Sequence, residues 1–97
     1  MNEVITNAMI IDERDTVAVA VEPVEAGSKL VWIGKDGEAK EVTALSNIPI
    51  YHKFAIKDMS KGDFVVKYGE HIGLAGADIK IGEHVHVQNV EDHREEL

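Results

Sequence analysis

Apolar and polar residues alternate along most of the chain, in short runs that are separated by glycine, proline or charged residues. Such alternation is typical of half-buried β-strands, because successive side chains of a strand point to opposite faces. Six runs fit this pattern: residues 16–24 (TVAVAVEPV), 29–33 (KLVWI), 39–45, 48–57, 63–69 and 83–90. Helical periodicity over three turns is not found. The pattern predicts a mostly β protein, formed by a single small domain with short turns of helix at most, the best place for one being residues 43–47.

A turn pattern recurs three times between these runs. In each copy an apolar residue stands three positions before a glycine and another stands three positions after it, and Ser, Asp or Glu follows the glycine directly. The three glycines are Gly27, Gly62 and Gly82. Glycine adopts positive φ without a steric cost, so each is expected to close a turn that starts the next strand. The other glycines between residues 69 and 82 are expected to form loops and tight reversals.

The composition narrows the classes of partner. The chain has 97 residues, and its 18 acidic and 10 basic residues give a net charge of −8. Nucleic-acid binding requires a Lys/Arg surface that displaces counterions, so this charge argues against nucleic acid and against an anionic membrane. A small anionic ligand is still compatible, because local charge governs a binding site.

Residue types that are missing from the chain narrow its chemistry further. There is no cysteine, so the chain cannot form disulfides and supplies no ligands for an iron–sulfur cluster. A metal would have to use histidine, carboxylate or amide ligands. The first fifteen residues lack the basic region of a signal peptide, and no apolar run approaches the roughly 20 residues of a membrane helix. We therefore expect a cytoplasmic protein. The charged residues 91–97 are expected to form a solvated tail or the start of a linker, which leaves residues 1–90 as the domain.

Two histidines stand one residue apart in the sequence GEHVHVQN, residues 82–89. On a strand, His84 and His86 would share one face, with Cα atoms about 6.6 Å apart, and Val85 would point to the other face. Two imidazoles so placed can reach one metal ion, although two ligands make a weak site. A third ligand would have to come from elsewhere: His52, His71, Asn89 or a partner chain. The alternative is that both histidines are exposed on the polar face of the strand.

The segments IPIYHK, KGDFVVKYGEHIG and GEHVHVQN, between residues 48 and 89, together resemble one known family. They are similar to the SAF domain that forms the small N-terminal domain of altronate/galactarate dehydratases and the small subunit of sulfolactate sulfo-lyase. The resemblance covers about residues 15–90 and implies a β-clip fold. Two positions depart from the family pattern. Tyr51 stands where glycine is usual, and Gln88 stands where a further histidine is common, which puts a three-histidine site on this strand in doubt.

The resemblance implies a lyase that removes water, or sulfite, from an acidic sugar or hydroxy acid. In this family the SAF domain works with a much larger catalytic domain or subunit, so we expect a small subunit or N-terminal domain that is not active alone. Two alternatives remain open: a non-catalytic module that binds sugar acids, as in the antifreeze-like group of the same fold, and a structural domain that forms homo-oligomers.

The same resemblance, with the chemistry of dehydration, indicates candidate site residues. His52, His84 and His86 are the candidate catalytic residues, since an unperturbed imidazole titrates near pH 6.5 and is suited to acid–base work. The candidate substrate-binding residues are Lys53, Lys67 and Asn89. A divalent metal such as iron or manganese, held mainly by the partner chain, is compatible with this chemistry, with His84 and His86 as candidate ligands.

Overall fold

The described part of the chain folds entirely as β-strands and turns. The computed structural model describes residues 5–10, 12, 14–67, 69–86 and 89–91. Within these residues the strands are β1 (Ala8–Met9), β2 (Val17–Ala20), β3 (Lys29–Ile33), β4 (Ala39–Thr43), β5 (Lys53–Ala55), β6 (Phe64–Lys67), β7 (Glu70–Ala75), β8 (His84–Val85) and β9 (Val90–Glu91). The mostly β fold is confirmed. The expectation of short helical turns at most also holds, since residues 45–46 of the segment 43–47 form a bend and the described residues contain no helix.

The strands form three antiparallel sheets. One has four strands in the order β1-β2-β5-β8, one is the hairpin of β3 and β4, and one has the order β6-β7-β9. The run 29–33 is a strand throughout, and its hairpin pairs Leu30 with Val42. The strand at residues 70–75 was expected to be a loop. It pairs with β6 through a register shift between Val65 and Val66.

Two predicted strands are shorter than expected. The run 48–57 is extended only at β5, because residues 49–52 form a turn in which the amide of His52 donates to the carbonyl of Pro49. The run 83–90 is interrupted after Val85 and resumes at β9. Gln88 and residues 92–97 of the expected tail lie outside the described residues, whereas Glu91 belongs to β9. Across the described part of the chain, no helix has the length and apolar character needed to cross a membrane.

The four-stranded sheet separates two hydrophobic cores. Neighbouring residues of one strand face different cores, as alternation requires. The first core comprises Ala8, Ala18, Ala20, Val24, Leu30, Trp32, Ala44, Ile48 and Phe54. The second core comprises Val17, Ala55, Met59, Val65, Ala75, Ile79 and Val85. Strand β5 therefore contributes Phe54 to one side of the sheet and Ala55 to the other, and both side chains are fully buried.

Four turns share one sequence pattern. Each begins at a buried alanine, has an apolar residue four positions later, and reaches positive φ three positions after that. The alanines are Ala20, Ala44, Ala55 and Ala75, and the positive-φ residues are Gly27, Tyr51, Gly62 and Gly82. The three glycines predicted from the sequence are confirmed, with φ of 91°, 94° and 91°. The fourth copy, at residues 44–52, was not predicted, because Tyr51 occupies the position of the glycine.

The four turns bond to one another in two reciprocal pairs. The amide-to-carbonyl bonds run from Gly27 to Ala44, from Tyr51 to Ala20, from Gly62 to Ala75 and from Gly82 to Ala55, at 2.7–2.8 Å. Within each pair the apolar residues also form an antiparallel bridge, Val24 with Ile48 and Met59 with Ile79. Each turn thus satisfies backbone groups of its partner, which would otherwise be buried without a hydrogen bond.

Tyr51 is the single non-glycine residue of the described chain with positive φ, at 67°. It is the third residue of the turn closed by Pro49 and His52, and a turn with positive φ at this position normally uses glycine. A side chain in this conformation costs about 1 kcal/mol or more. The ring is 72% exposed, so packing within the chain does not offset that cost.

Replacing two of the turn glycines by alanine should have unequal effects. A Cβ on Gly62 meets no atom within 4 Å, whereas a Cβ on Gly82 collides with the carbonyl oxygen of Thr43. Gly62→Ala should therefore lower the free energy of unfolding by about 1 kcal/mol, which is the cost of holding a side chain at positive φ. Gly82→Ala adds overpacking and should lower the free energy of unfolding by about 2–4 kcal/mol. Chemical denaturation of both variants measures the difference, and equal losses would contradict the collision.

Glycine at position 51 should stabilise the turn relative to alanine. Tyr51→Gly removes the cost of positive φ but increases the entropy of the unfolded chain, so we expect stability equal to the wild type or up to about 1 kcal/mol higher. Tyr51→Ala keeps the strained backbone and serves as the matched control. It should be about 1 kcal/mol less stable than Tyr51→Gly in urea unfolding. The reverse order would show that the turn tolerates a side chain without strain.

Candidate functional site

Three histidine rings from distant parts of the sequence meet at one end of β5 and β8. Nδ1 of His52 lies 2.9 Å from Nε2 of His84, within hydrogen-bonding distance. The ring centroid of His52 is 5.1 Å from that of His84 and 4.6 Å from that of His86, and the ring planes differ by 24° and 26°. The rings of His84 and His86 are 5.8 Å apart and nearly parallel, at 13°. The three imidazoles therefore form one half-buried stack, which we call the histidine cluster.

The register of the central sheet explains why these rings meet. Strand β5 pairs with β8 so that Phe54 lies opposite His84 and Lys53 lies opposite Val85. Continuing this register by one residue places His52 opposite His86. Because side chains alternate along both strands, the three histidines share the face of Phe54. His84 and His86 thus point to the same face, as predicted, although β8 ends at Val85 and does not include His86.

Pro49 explains why the turn at residues 44–52 ends in histidine and not in an acidic residue. In two other copies of the turn an acidic side chain accepts a hydrogen bond from the amide three residues earlier, Asp63 from Ser60 at 2.8 Å and Glu83 from Lys80 at 3.0 Å. In the copy at residues 44–52 the equivalent position is Pro49, which has no amide hydrogen. An acidic side chain at position 52 would therefore have no amide hydrogen to accept. His52 stands there instead, and its ring contacts the rings of His84 and His86.

Two polar side chains fix the backbone of the cluster. The amide side chain of Asn89 bonds at both ends: Oδ1 accepts from the amide of His86 at 3.0 Å, and Nδ2 donates to the carbonyl of His84 at 2.9 Å. Oγ of Ser46 accepts from the amide of His84 at 3.1 Å. Asn89 is almost fully buried. These bonds fix the backbone of His84 and His86, and the backbone in turn positions the two rings.

Burial and neighbouring positive groups oppose protonation in the cluster. Desolvation lowers the pKa of His84 below its ordinary value of 6.5, and His52, His86 and Lys53 lower it further by charge repulsion. Desolvation also lowers the pKa of Lys53, with the charge of Lys67 as a second cause. Lys53 points to the opposite face of β5, yet its charge acts on His84. The site is locally basic within a chain of net charge −8.

One nitrogen of the cluster has no hydrogen bond within the described chain. Nδ1 of His86 is buried and unpaired. A buried polar atom without a partner costs about 1–3 kcal/mol, so such an atom commonly bonds to a water, an ion or a ligand. One ring nitrogen from each of the three histidines can be chosen so that no two of these atoms are more than 4.8 Å apart. A neutral imidazole can accept a proton, donate one or bind a metal, and this arrangement is chemically able to do each.

The predicted site residues are partly brought together. His52, His84 and His86 meet, and Lys53 and Lys67 lie near enough for their charges to interact. The side chain of Asn89 bonds the backbone of the histidines, and its substrate-binding role stays a prediction. Sequence reasoning did not identify Ser46. It lies in the unrecognised copy of the turn, so comparing the sequence ALSNI with AIKDM and AGADI could have drawn attention to it.

Known proteins share this segment. A family model described as the altronate/galactarate dehydratase SAF domain matches residues 6–93. The (2R)-sulfolactate sulfo-lyase subunit alpha of Chromohalobacter salexigens is 41% identical over 85 residues, which cover 86% of this chain and 90% of that protein. The corresponding subunit of Paracoccus pantotrophus is 40% identical over 65 residues, 67% of this chain and 97% of that protein.

A second group of relatives is much longer than this chain. The altronate dehydratase of Bacillus subtilis is 38% identical over 79 residues, which cover 81% of this chain but only 15% of that protein. The altronate dehydratase of Escherichia coli is 39% identical over 83 residues, with 16% of its length covered. The shared segment is thus nearly a whole subunit in one group and a small part of a long chain in the other.

The imidazole of His84 should titrate below pH 6.5 in the folded, metal-free chain. Because the folded state binds fewer protons than the unfolded state between the lowered pKa and 6.5, stability should fall as the pH falls through this window. NMR titration of the ring resonances with a chelator present measures the pKa. His52→Ala should shift it back towards 6.5, since His52 is the first of the repelling neighbours. A midpoint above 6.5 in the wild type would contradict the burial of His84.

Proposed function

Because the chain belongs to the altronate/galactarate dehydratase SAF domain family, we propose that it is the small subunit or small domain of an acid-sugar lyase. It contributes side chains to an active site that a larger catalytic chain completes. The reaction removes water, or sulfite, from an anionic hydroxy acid. The observation that carries this proposal is the histidine cluster, in which His52 and His84 bond ring to ring at 2.9 Å.

The local charge supports an anionic substrate. Removal of a proton beside a carboxylate produces an enediolate with additional negative charge, and positive groups nearby stabilise it. Lys53 and Lys67 supply amines close enough to influence each other. A bound carboxylate would offset the two causes that lower the pKa of Lys53, since it supplies an opposite charge. In this proposal the long side chains of Lys53 and Lys67 hold the acid group of the substrate at the end of β5, where the charge of Lys53 also acts on His84 although its side chain leaves the other face of the strand.

The imidazoles provide the acid–base groups of this proposal. A base must be unprotonated to take a proton, and the lowered pKa of His84 favours its neutral form at neutral pH. His52 contacts His84 directly and can exchange a proton with it through the hydrogen bond. His86, stacked on His52, completes the set. One imidazole accepts the proton of the substrate and another protonates the leaving group.

The lengths of the relatives and the exposed apolar residues of this chain support the proposal of a larger partner chain. The chain spans only 15% of the Bacillus altronate dehydratase, and the short sulfo-lyase relatives are each named as a subunit alpha. Exposed apolar side chains also flank the cluster in sequence: Leu45 beside Ser46, Ile50 and Tyr51 before His52, and Ile81 before Gly82. In this proposal the rim formed by Leu45, Ile50, Tyr51 and Ile81 contacts the larger chain and excludes water from the site.

Reconstitution tests the proposal. The purified chain alone should not turn over altronate, galactarate or sulfolactate, and activity should appear when the large dehydratase-like chain from the same genome is added. In the reconstituted enzyme, His52→Ala, His84→Ala and His86→Ala should each lower kcat by about 100-fold to 10,000-fold, the usual range for an acid–base group. Lys53→Ala and Lys67→Ala should chiefly raise KM.

A control and a binding measurement complete the test. Lys35→Ala, which alters an exposed lysine in the β3–β4 hairpin, should leave both kinetic constants unchanged. Full activity of all three histidine variants would rule out a catalytic role for the cluster. Calorimetry on the isolated chain distinguishes the alternative function: micromolar binding of a sugar acid without the large chain would indicate a binding module.

A further inference from the structure

We infer that His52, His84 and His86 form a site in this chain for one divalent first-row transition metal ion. The inference stands on the geometry of three side chains and does not depend on the lyase proposal; it gives the imidazoles an alternative to the acid–base role, because a ring nitrogen that binds a metal cannot also accept a proton. It can be tested on the 97-residue chain alone. The metal site can therefore be disproved without disproving the lyase function, and the lyase function can be disproved without disproving the metal site.

The spacing of the ring nitrogens suits one ion. Three nitrogens at about 2.1 Å from a metal are about 3.0–3.4 Å from one another in octahedral or tetrahedral geometry. In the structure, Nδ1 of His52 and Nε2 of His84 are 2.9 Å apart, and the donor atoms of all three histidines lie within 4.8 Å. Small rotations of the rings would bring the three nitrogens to equal distances from an ion.

The chemistry of the donors favours a metal over a purely structural stack. Three half-buried imidazoles cannot all be protonated at this separation without strong repulsion, and neutral imidazoles are good ligands for divalent transition metals. In addition, the buried Nδ1 of His86 has no partner within the described chain. A bound ion can satisfy this nitrogen directly, as a ligand of the metal.

The support around the rings resembles that of a prepared site. Asn89 and Ser46 bind the backbone of His84 and His86, so little order has to be gained when an ion binds. Three protein ligands leave at least one position of the ion open, as in catalytic rather than structural sites. A hydroxy acid has a carboxylate and a hydroxyl that could occupy such positions, which connects this site to the proposed substrate class.

Zinc titration of the untagged, chelator-treated chain tests the inference. Calorimetry should show one Zn²⁺ per chain, and Zn²⁺ should raise the melting temperature of the wild type, because ligand binding to the folded state stabilises it. Removal of any one ligand, by His52→Ala, His84→Ala or His86→Ala, should weaken binding at least about 10-fold and abolish the thermal shift. The combined variant His71→Ala/His93→Ala, which alters the two other histidines of the chain, should bind as the wild type does.

Folding and specificity are controlled separately. Thermal unfolding of each metal-free variant shows that it folds, and His52→Gln and His86→Gln retain a polar group if an alanine variant does not fold. Visible absorption of bound Co²⁺ should appear with the wild type, vanish in the cluster variants and be displaced by Zn²⁺. No stoichiometric binding at 1 mM Zn²⁺, or loss of binding in the His71/His93 variant alone, would overturn the inference.

Discussion

Reciprocal hydrogen bonding between paired turns is the constraint on which the rest of the structure depends. In each pair the amide of a positive-φ residue donates to the carbonyl of the alanine that begins the partner turn. The alanines are buried, so nothing larger fits without displacing the turn that crosses them. These bonds fix where β5 begins, through Tyr51 and Ala20, and where β8 begins, through Gly82 and Ala55. His52 immediately precedes β5, while His84 begins β8 and His86 follows it, so the geometry of the histidine cluster follows from the turns.

The sequence predicted features whose residue types allow few alternatives. Gly27, Gly62 and Gly82 were recognised as turns because each glycine is followed by a polar residue and then an apolar strand, and all three have positive φ. The strands β3 and β4 were predicted from the alternating runs at residues 29–33 and 39–45. The fourth turn was missed because Tyr51 and Pro49 hide the pattern, although both are compatible with the same hydrogen bonds.

Other features depended on contacts between distant residues. The strand at residues 70–75 contains glycine and histidine and little alternation, and pairing with β6 and β9 makes it a strand. The predicted strand at residues 83–90 ends early because Asn89 bonds the amide of His86. His-x-His and the family pattern together indicated the three histidines that the structure brings into contact. Their contact with one another, and their support by Ser46 and Asn89, required the register of β5 against β8 and could not be obtained from spacing along the chain.

The site combines a rigid backbone with side chains of variable protonation. Hydrogen bonds with Ser46 and Asn89 define the backbone positions of two histidines, while the rings of His52 and His84 contact each other at 2.9 Å. Such a site can change its charge by gaining or losing a proton, or an ion, without rearranging the sheet. Lys53 belongs to the same strand but to its other face, so one short strand lies between the imidazoles and Lys67 of β6.

The alternation of Phe54 and Ala55 across the central sheet also determines how the molecule loses its structure. Strands β2 and β5 of that sheet each contribute side chains to both hydrophobic cores, so melting either core would expose apolar side chains of the other. Neither half can therefore survive as a separate folding unit, and the chain is expected to unfold in one cooperative step.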